Sequence, residues 1–210
     1  MSLALEQERI EHNLIGVQFD EEKHIYTVDG EQWSSVTQAL KCLPDDYAHV
    51  SREIMQQAAH LGKAVHKAIE LDIAQTLDEE SLDPIIASYL QAWREFVKRS
   101  GFEVLASESI VVSRKYRYCG KLDILGVLNG RYALVDLKRT AGIMRSVAPQ
   151  LAGYEQAARE TFGIGMFEQV DRYALHFPKE RSAALFPFYD KNDMRVFLSA
   201  LTIHQWSKRS

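Results

Sequence analysis

Residues 120–138 read GKLDILGVL-NG-RYALVDLK and contain the pattern on which the expected fold is built. Two runs of mostly aliphatic residues flank Asn129-Gly130, the dipeptide that two-residue type I′ hairpin turns prefer. The stretch therefore predicts a β-hairpin in which Leu128 faces Arg131. Both runs are almost continuously apolar, which is typical of central strands that are buried on both faces.

Two aspartates meet in this hairpin. Counting back from the turn places Asp123 directly opposite Asp136 on one sheet face, at a non-hydrogen-bonded pair where Cα atoms approach to about 4.5 Å. Carboxylates this close repel each other. Proteins tolerate such a pair mostly when a cation lies between them or when they share a proton. Because oxygen ligands favour hard ions, we expect a site for Mg²⁺ or Mn²⁺.

A lysine completes the pattern. Lys138 lies two residues past Asp136 and therefore points to the same face of the strand. An ammonium group beside a metal-bound phosphate can orient or deprotonate a water, or stabilise developing charge. The alternative is an ordinary charged strand face in solvent. The apolar neighbours of both aspartates argue against it, but spacing alone leaves both interpretations open.

The rest of the chain supplies helices and further strands. Apolar periodicity and turn signals predict helices at 51–75, 84–99 and 148–162, strands at 103–113, 170–177 and 183–189, and a C-terminal amphipathic helix. Before residue 50 we expect a polar helix or arm over 1–12, a hairpin over 19–33 that turns at Asp29-Gly30, and a short helix capped by Ser34 or Ser35. This order predicts a single-domain α/β protein with a mixed sheet flanked by helices.

Composition limits the classes of function. The chain has 210 residues, 46% of them hydrophobic, and no apolar run that approaches the length of a membrane span. Its two cysteines, Cys42 and Cys119, exclude a four-cysteine metal site and suggest a reducing compartment, so we expect a cytoplasmic protein without a secretory signal. The formal charge of −4 argues against coating of nucleic acid by bulk positive charge, although a local basic groove can still hold phosphate.

Four short motifs follow one another along the chain. They are Gly62-Lys63-Ala64-Val65-His66, Gly120-Lys121-Leu122-Asp123, Val135-Asp136-Leu137-Lys138 and Gln150-Leu151-Ala152-Gly153-Tyr154. In this order they resemble the PD-(D/E)XK nuclease superfamily, and most of all its RecB-type and phage-type exonuclease branch. The N-terminal hairpin with Ser35-Val36-Thr37 is similar to that of several phage-type exonucleases. The resemblance covers about residues 24–160.

The resemblance implies roles for these residues. Asp123 and Asp136 would ligate the metal, helped by the backbone carbonyl of Leu137. Lys138 would activate or position the attacking water. His66 would complete or adjust the metal site. On its own, a histidine on a helix beside a glutamate is more often structural.

Other residues of the motifs would contact the substrate. Gln150 and Tyr154 lie on one helix face, and the resemblance implies that they organise the site and touch the DNA strand. Glu108 lies on the preceding strand, where related enzymes often carry an acid, and we group it with the substrate-binding residues. The family often has threonine directly after the lysine, whereas Arg139 occupies that position in this chain.

Basic residues outside the motifs are further candidates for DNA binding. Arg114, Lys115 and Arg117 alternate with tyrosines immediately before the Asp123 strand, a composition that suits backbone tracking and base stacking, although a solvated hairpin tip has the same composition. Arg145 could hold a phosphate, and Ser35 could bind a terminal phosphate or serve only as a helix cap. Trp206 and the stripe 194–201 are expected in the core.

The family fold is restriction-endonuclease-like, with residues 1–50 packed as an N-terminal addition on a nuclease core of 51–210. The implied function is Mg²⁺- or Mn²⁺-dependent hydrolysis of DNA, as an exonuclease rather than a sequence-specific enzyme. Such a protein would be bacterial or phage-encoded, would act in recombination or repair, and could form a homo-oligomer or bind a recombination partner. The alternatives are a catalytically inactive DNA-binding or assembly subunit on the same fold, and an RNA or nucleotide metal hydrolase.

Overall fold

A computed structural model describes residues 10–44, 50–139, 142–178 and 182–208 of the protein. The strands are β1 (Val17–Asp20), β2 (Ile25–Val28), β3 (Glu31–Ser35), β4 (Glu103–Ser113), β5 (Tyr118–Leu128), β6 (Arg131–Lys138), β7 (Val170–His176) and β8 (Ala184–Phe188). The helices are α1 (Val36–Ala39), α2 (Arg52–Ile73), α3 (Pro84–Ser100), α4 (Val147–Phe162) and α5 (Asp193–Ser207). Residues 10–13 are helical, and the remainder of the arm expected over 1–12 lies outside the described residues.

The predicted hairpin is confirmed. Asn129 and Gly130 have φ angles of 52° and 74°, the positive values that a type I′ turn requires. The β5–β6 ladder runs from Leu128↔Arg131 to Ile124↔Val135, which is the register that the sequence predicts. Asp29-Gly30 likewise joins β2 to β3, with φ angles of 51° and 83°. Local turn chemistry therefore determines both registers.

The strands form one mixed eight-stranded sheet in the order β1-β2-β3-β5-β6-β7-β8, with β4 paired to β5 outside this path. Both β3 and β6 pair with the edge of β5 that β4 leaves free. Ser34 and Ser35 of β3 pair with the start of β5, whereas β6 begins to pair at Ile124. Residues 120–123 of β5 lie between these two partners. We call this gap in the described pairing the β5 fork.

Helices cover both faces of the sheet, so the apolar strands of the hairpin are buried on both sides. Strand β6 shows the alternation: Leu134 packs with α4 and α5 around Leu151, whereas Val135 packs with α2 and α3 around Trp93. Each side of β6 is thus held by its own hydrophobic cluster. Among the described residues, no helix combines the length and the apolar character needed to cross a membrane.

The prediction for Trp206 is wrong. Helix α5 buries Phe197 and Leu201, but the side chain of Trp206 is 70% exposed. Nine residues separate Phe197 from Trp206, which is about two and a half helical turns. The two side chains therefore point in opposite directions, and the indole faces away from the core.

The ring of Tyr154 packs directly on Gly120. A methyl group added at Gly120 would lie 2.6 Å from Cε1 of Tyr154 and 3.2 Å from Cγ2 of Val36. Tyr154 is buried and belongs to the cluster beneath α4, so it has little room to yield. The absence of a side chain at Gly120 is therefore a packing requirement between β5 and α4.

We predict that Gly120→Ala destabilises the protein by about 1–3 kcal/mol, the usual effect of overpacking a core. The measurement is the midpoint of urea unfolding. Gly62→Ala is the matched control, because apart from its neighbours in the chain and the backbone of its own helix turn nothing lies within 4 Å of the added methyl, and alanine is the better helix former. Equal midpoints for Gly120→Ala and the wild type would contradict the packing role of Gly120.

Candidate metal centre

The two aspartates of the hairpin lie at the β5 fork, immediately beyond the last pair of the β5–β6 ladder. There the backbone N–H of Leu137 donates to Oδ2 of Asp123 at 2.7 Å. Asp136 is almost fully buried. Its Oδ1 accepts a hydrogen bond of 3.2 Å from Nε2 of Gln150 on α4, and its Oδ2 lies 2.7 Å from Nζ of Lys138. The fork thus gives each carboxylate a different set of partners.

His66 reaches the same place from helix α2 on the other side of the sheet. Its Nδ1 lies 3.4 Å from Oε1 of Glu108 and 3.7 Å from Oδ1 of Asp123. Its Nε2 lies 3.2 Å from the backbone oxygen of Leu137. The imidazole is therefore surrounded by three oxygen atoms from strands β4, β5 and β6.

Glu108 has an unusual backbone conformation. Its φ of 46° is left-handed, although the residue is inside β4, between the pairs Ser107↔Ile124 and Ser109↔Leu122. For a residue with a side chain such a conformation costs on the order of 1–3 kcal/mol and is found mostly at functional sites. The carboxylate of Glu108 contacts both His66 and Lys121, whose Nζ lies 3.0 Å from Oε2. The residue with the left-handed backbone is thus the one whose carboxylate lies at the fork, in contact with His66 and Lys121.

Three of these residues form a set that could hold a metal ion. His66, Glu108 and Asp123 each offer one ligand atom, and these atoms lie within 4.8 Å of one another. One imidazole nitrogen and two carboxylate oxygens suit a divalent cation, and the nitrogen favours a transition metal such as Mn²⁺ more than Mg²⁺. The backbone oxygen of Leu137 lies 3.2 Å from His66, and the charge of Asp136 is close enough to raise the pKa of both His66 and Asp123. The donor chemistry therefore fits the ion that the sequence predicts.

The charges in the cluster explain the protonation of His66. Burial alone would lower its pKa, but the carboxylates of Asp123 and Glu108 outweigh burial and raise the pKa to about 9. In the metal-free chain the ring is therefore an imidazolium at neutral pH, with both N–H groups facing oxygen atoms. This proton compensates the same carboxylates that would hold a cation.

The charges of the same cluster, together with burial, shift the pKa values of Asp123 and Lys138. Burial raises the pKa of Asp123 to about 6, because this effect and the charge of Asp136 together outweigh the opposite effect of His66. For Lys138 burial would lower the pKa, but the carboxylates of Asp136 and Asp123 raise it. Lys138 therefore remains a cation, which suits it to stabilise negative charge rather than to accept a proton.

Helix α4 supplies the polar residues on the remaining side. Gln150 and Tyr154 lie one turn apart, and Gln150 donates to Asp136. Burial and the charges of Asp123 and Asp136 raise the pKa of Tyr154 well above its ordinary value, so its phenol stays neutral. The structure thus brings Gln150 and Tyr154 together with the acidic residues, as the motif order implies.

The basic turn between β4 and β5 has other partners. Nη1 of Arg114 lies 2.9 Å from Oδ2 of Asp29, and Arg117 pairs with Glu31 while its guanidinium lies 5.5 Å from the ring of Trp33. These ion pairs attach the turn to the N-terminal hairpin. The turn precedes Asp123 by about five strand residues, a distance of roughly 16 Å.

Of the other predicted substrate-binding residues, Lys115 belongs to the same turn, whereas Ser35 and Arg145 lie elsewhere in the chain. The exposed Lys115 has its Nζ 5.0 Å from the ring centroid of Tyr116. Ser35 is buried, and its hydroxyl caps α1 by accepting from the N–H of Gln38. Arg145 is exposed in the segment that leads into α4, five residues before Gln150.

Two residues take positions that the sequence does not predict. Glu108, expected among the substrate-binding residues, lies instead with His66 and Asp123 in the potential ligand set. Lys121, which the motif contains without an assigned role, pairs with Glu108. No sequence signal marks the left-handed backbone at Glu108, because residues of that conformation are recognised mainly when they are glycine or asparagine.

No protein-family model matches the sequence, and no curated protein matches it. A candidate exonuclease from Eubacterium rectale has a similar solved structure, with a TM-score of 0.50 and 14% identity over 83% of this chain and 79% of that one. Two further similar structures are the alkaline exonuclease LHK-Exo from Laribacter hongkongensis (TM-score 0.38, 9% identity, covering 83% and 87% of the two chains) and SSO0001 (TM-score 0.41, 12% identity, covering 98% and 86%).

At such low sequence identity, structural similarity shows a shared fold and does not show a shared activity. The likeness to the Eubacterium rectale protein extends over most of both chains. The mixed sheet with its flanking helices and the order of the sequence motifs agree with this likeness. This chain therefore has the fold of the PD-(D/E)XK nucleases.

Proposed function

We propose that this protein is a nuclease that hydrolyses phosphodiester bonds of DNA and depends on a divalent metal ion. One observation carries the proposal: His66, Glu108 and Asp123 offer ligand atoms within 4.8 Å of one another, and Asp136 and Lys138 lie beside them at the β5 fork. Acidic residues, an imidazole and a lysine in one partly buried cluster suit phosphoryl chemistry better than any structural role, because the cluster costs stability to maintain.

The proposed cation is Mg²⁺ or Mn²⁺. His66, Glu108 and Asp123 would hold it, with Asp136 and the backbone oxygen of Leu137 as further ligands. When bound, such an ion polarises a phosphate oxygen and makes a water more acidic. In the hydrolysis the oxygen of water bonds to phosphorus, the ester P–O bond breaks, and the departing oxygen takes up a proton.

The residues of the chain have separate parts in this proposal. The ammonium of Lys138 would stabilise the negative charge that develops on the phosphate, since its pKa is raised and it stays charged. Gln150 would keep the carboxylate of Asp136 in one orientation through its hydrogen bond. Tyr154, held as a neutral phenol, would offer a hydrogen bond to the substrate or to Gln150.

We propose further that the substrate is DNA and that the enzyme acts as an exonuclease. The motif resemblance supports both, and the similar fold of a candidate exonuclease is consistent with them. Arg145 is the basic residue that we propose for phosphate binding near α4, and Ser35, Arg114, Lys115 and Arg117 stay predictions. A bacterial or phage origin, a cytoplasmic location, a homo-oligomer, a recombination partner and roles in recombination or repair also stay predictions.

We predict that Asp136→Asn lowers the rate of DNA cleavage at least about 100-fold, because it removes a charge that the site needs. The assay is digestion of end-labelled linear DNA and closed circular DNA, single- and double-stranded, with Mg²⁺ or Mn²⁺. Asp20→Asn, an exposed aspartate at the end of β1, is the control and should cleave normally.

Each result of this assay has a distinct meaning. Loss of linear DNA alone identifies an exonuclease, and cutting of circles identifies an endonuclease. Cleavage by Asp136→Asn at the wild-type rate would contradict the proposed site. Hydrolysis of RNA or mononucleotides without any hydrolysis of DNA would favour the metal-hydrolase alternative, and no hydrolysis at all would favour the binding-subunit alternative.

We predict that Lys138→Met slows cleavage by about 100- to 1,000-fold, because a positioned cation contributes most in the transition state. Its affinity for Mn²⁺ should stay near that of the wild type, since Lys138 is not a ligand. Lys67→Met, at an exposed lysine on α2, is the control for charge and length. A large loss of Mn²⁺ affinity with unaltered turnover at saturating Mn²⁺ would assign Lys138 a role in metal binding instead.

We predict that binding of Mn²⁺ releases about one proton at pH 7.5, because His66 is protonated below its pKa of about 9 and must lose its proton to ligate. The affinity for Mn²⁺ should therefore rise with pH up to about 9. Calorimetry in buffers of different ionisation enthalpy measures the released protons. His66→Gln should release fewer, and an equal release from both proteins would show that His66 does not exchange its proton for the metal.

A further inference from the structure

A groove of about 860 Å³ lies between α2, α3 and the ends of β6 and β7. We call it the α2–α3 groove; its walls include Leu61, Ile85, Tyr89, Ala92, Arg139 and Phe177. The volume is within the range of about 300–1,000 Å³ that is usual for ligand sites. The proposed function gives it no role.

The groove adjoins the end of the strand that carries Asp136 and Lys138. Arg139 directly follows Lys138, so their Cα atoms are about 3.8 Å apart. The N–H of Phe177 donates to the backbone oxygen of Lys138 at 2.8 Å, which joins the floor of the groove to the same residue. Because side chains alternate along β6, Asp136 and Lys138 point to the α4 side of the sheet, whereas the groove lies on the α2–α3 side. The groove approaches the metal centre through Leu61, which lies five residues before His66 on α2, about 7.5 Å along the helix.

Apolar surface stays uncovered around the groove. The stripe on α2 that the sequence predicts for the core is buried at Val65, but Ile54, in the first turn, is 59% exposed. On the facing helix Ile85 is 56% exposed. Large apolar side chains that stay exposed together mark surfaces that bind something. Ile85 lines the groove itself, whereas Ile54 lies about two turns before the groove residue Leu61 on α2.

The groove also holds an aromatic ring and a cation in fixed positions. The ring of Tyr89 meets that of Phe177 edge to face, with centroids 6.0 Å apart. The guanidinium of Arg139 lies 5.9 Å from the centroid of Tyr89, and its Nη2 donates to the backbone oxygen of Ala58 at 3.0 Å. Its Nε–H is buried and has no hydrogen-bond partner within the described parts of the chain.

An aromatic face, a guanidinium and apolar walls are the combination that binds single-stranded nucleic acid, because unpaired bases stack and the backbone carries negative charge. Bases inside a duplex are already stacked and cannot use such a groove. The acidic lining residue Glu95 lies on the exposed side of α3 and accepts from Gln91.

We propose that the α2–α3 groove binds unpaired bases of the nucleic-acid strand next to the phosphate to be cleaved, with a base stacked on Tyr89 and a backbone phosphate on Arg139. This inference rests on the proposed nuclease function. It makes a single-stranded segment part of the substrate. Arg139, which departs from the residue usual in the family, becomes a substrate-binding residue.

The test is binding of a short single-stranded oligodeoxynucleotide that carries the fluorescent base 2-aminopurine, measured in EDTA so that no cleavage occurs. A second oligonucleotide of the same length has abasic sites in place of the bases. Tyr89→Leu removes the aromatic face and keeps an apolar side chain, and Tyr89→Phe keeps the ring. Tyr189→Leu is the control, because this exposed tyrosine follows β8 at the opposite end of β7 from Phe177.

We expect Tyr89→Leu to weaken binding of the intact oligonucleotide about tenfold and to leave binding of the abasic one unchanged. Tyr89→Phe and Tyr189→Leu should bind both as the wild type does. Arg139→Gln should reduce the slope of log Kd against log salt concentration by about 0.7, the loss of one phosphate contact on a single strand.

Two outcomes would overturn the inference. Wild-type affinity of Tyr89→Leu for the intact oligonucleotide would mean that the groove has another occupant, such as a protein segment. Equal weakening for the intact and abasic oligonucleotides would mean that Tyr89 acts on the phosphate path and not by stacking. Because binding is measured without cleavage, failure of the proposed nuclease function would appear separately, as absent hydrolysis by the wild type with Mg²⁺ or Mn²⁺.

Discussion

Repulsion among carboxylates is the constraint on which the site depends. Glu108, Asp123 and Asp136 come from three adjacent strands and are at most partly exposed. Negative charges packed this closely destabilise the fold unless cations lie among them. In the metal-free chain the imidazolium of His66 and the ammonium of Lys138 compensate these charges, which is why both pKa values are raised. A divalent ion would take over the compensation that His66 provides.

The sheet makes room for this cluster by changing the partner of β5. Strand β3 pairs with the beginning of β5 and β6 pairs with the end of β5. The edge of β5 between these two partners therefore has space for the side chains of the cluster. At this fork the N–H of Leu137 bonds to the carboxylate of Asp123. Separate hydrophobic clusters lie on the two faces of β6, which hold α2 and α4 at fixed distances. His66 and Gln150 can therefore approach the fork from opposite sides.

Much of this arrangement was predictable because its causes are local. Asn129-Gly130 specifies the turn, and the turn determines which residues of β5 and β6 face each other. In the structure Ser51 caps the start of α2, and Gly101 ends α3 in a left-handed conformation, close to the boundaries at 51 and 99 that the sequence predicts. The prediction for Trp206 is wrong because its apolar character does not reveal that its side chain points to the opposite side of the helix from Phe197.

The secondary structure, the hairpin register and the residue types that suit metal-dependent hydrolysis can be predicted from the order of the amino acids, since each follows from neighbours along the chain. The folded chain was needed to show that Glu108 joins His66 and Asp123, that Lys121 pairs with Glu108, and that a groove lies beside Arg139. These contacts join residues far apart in sequence. Their distances depend on how helices pack on the sheet and on one left-handed backbone residue, neither of which periodicity or spacing encodes.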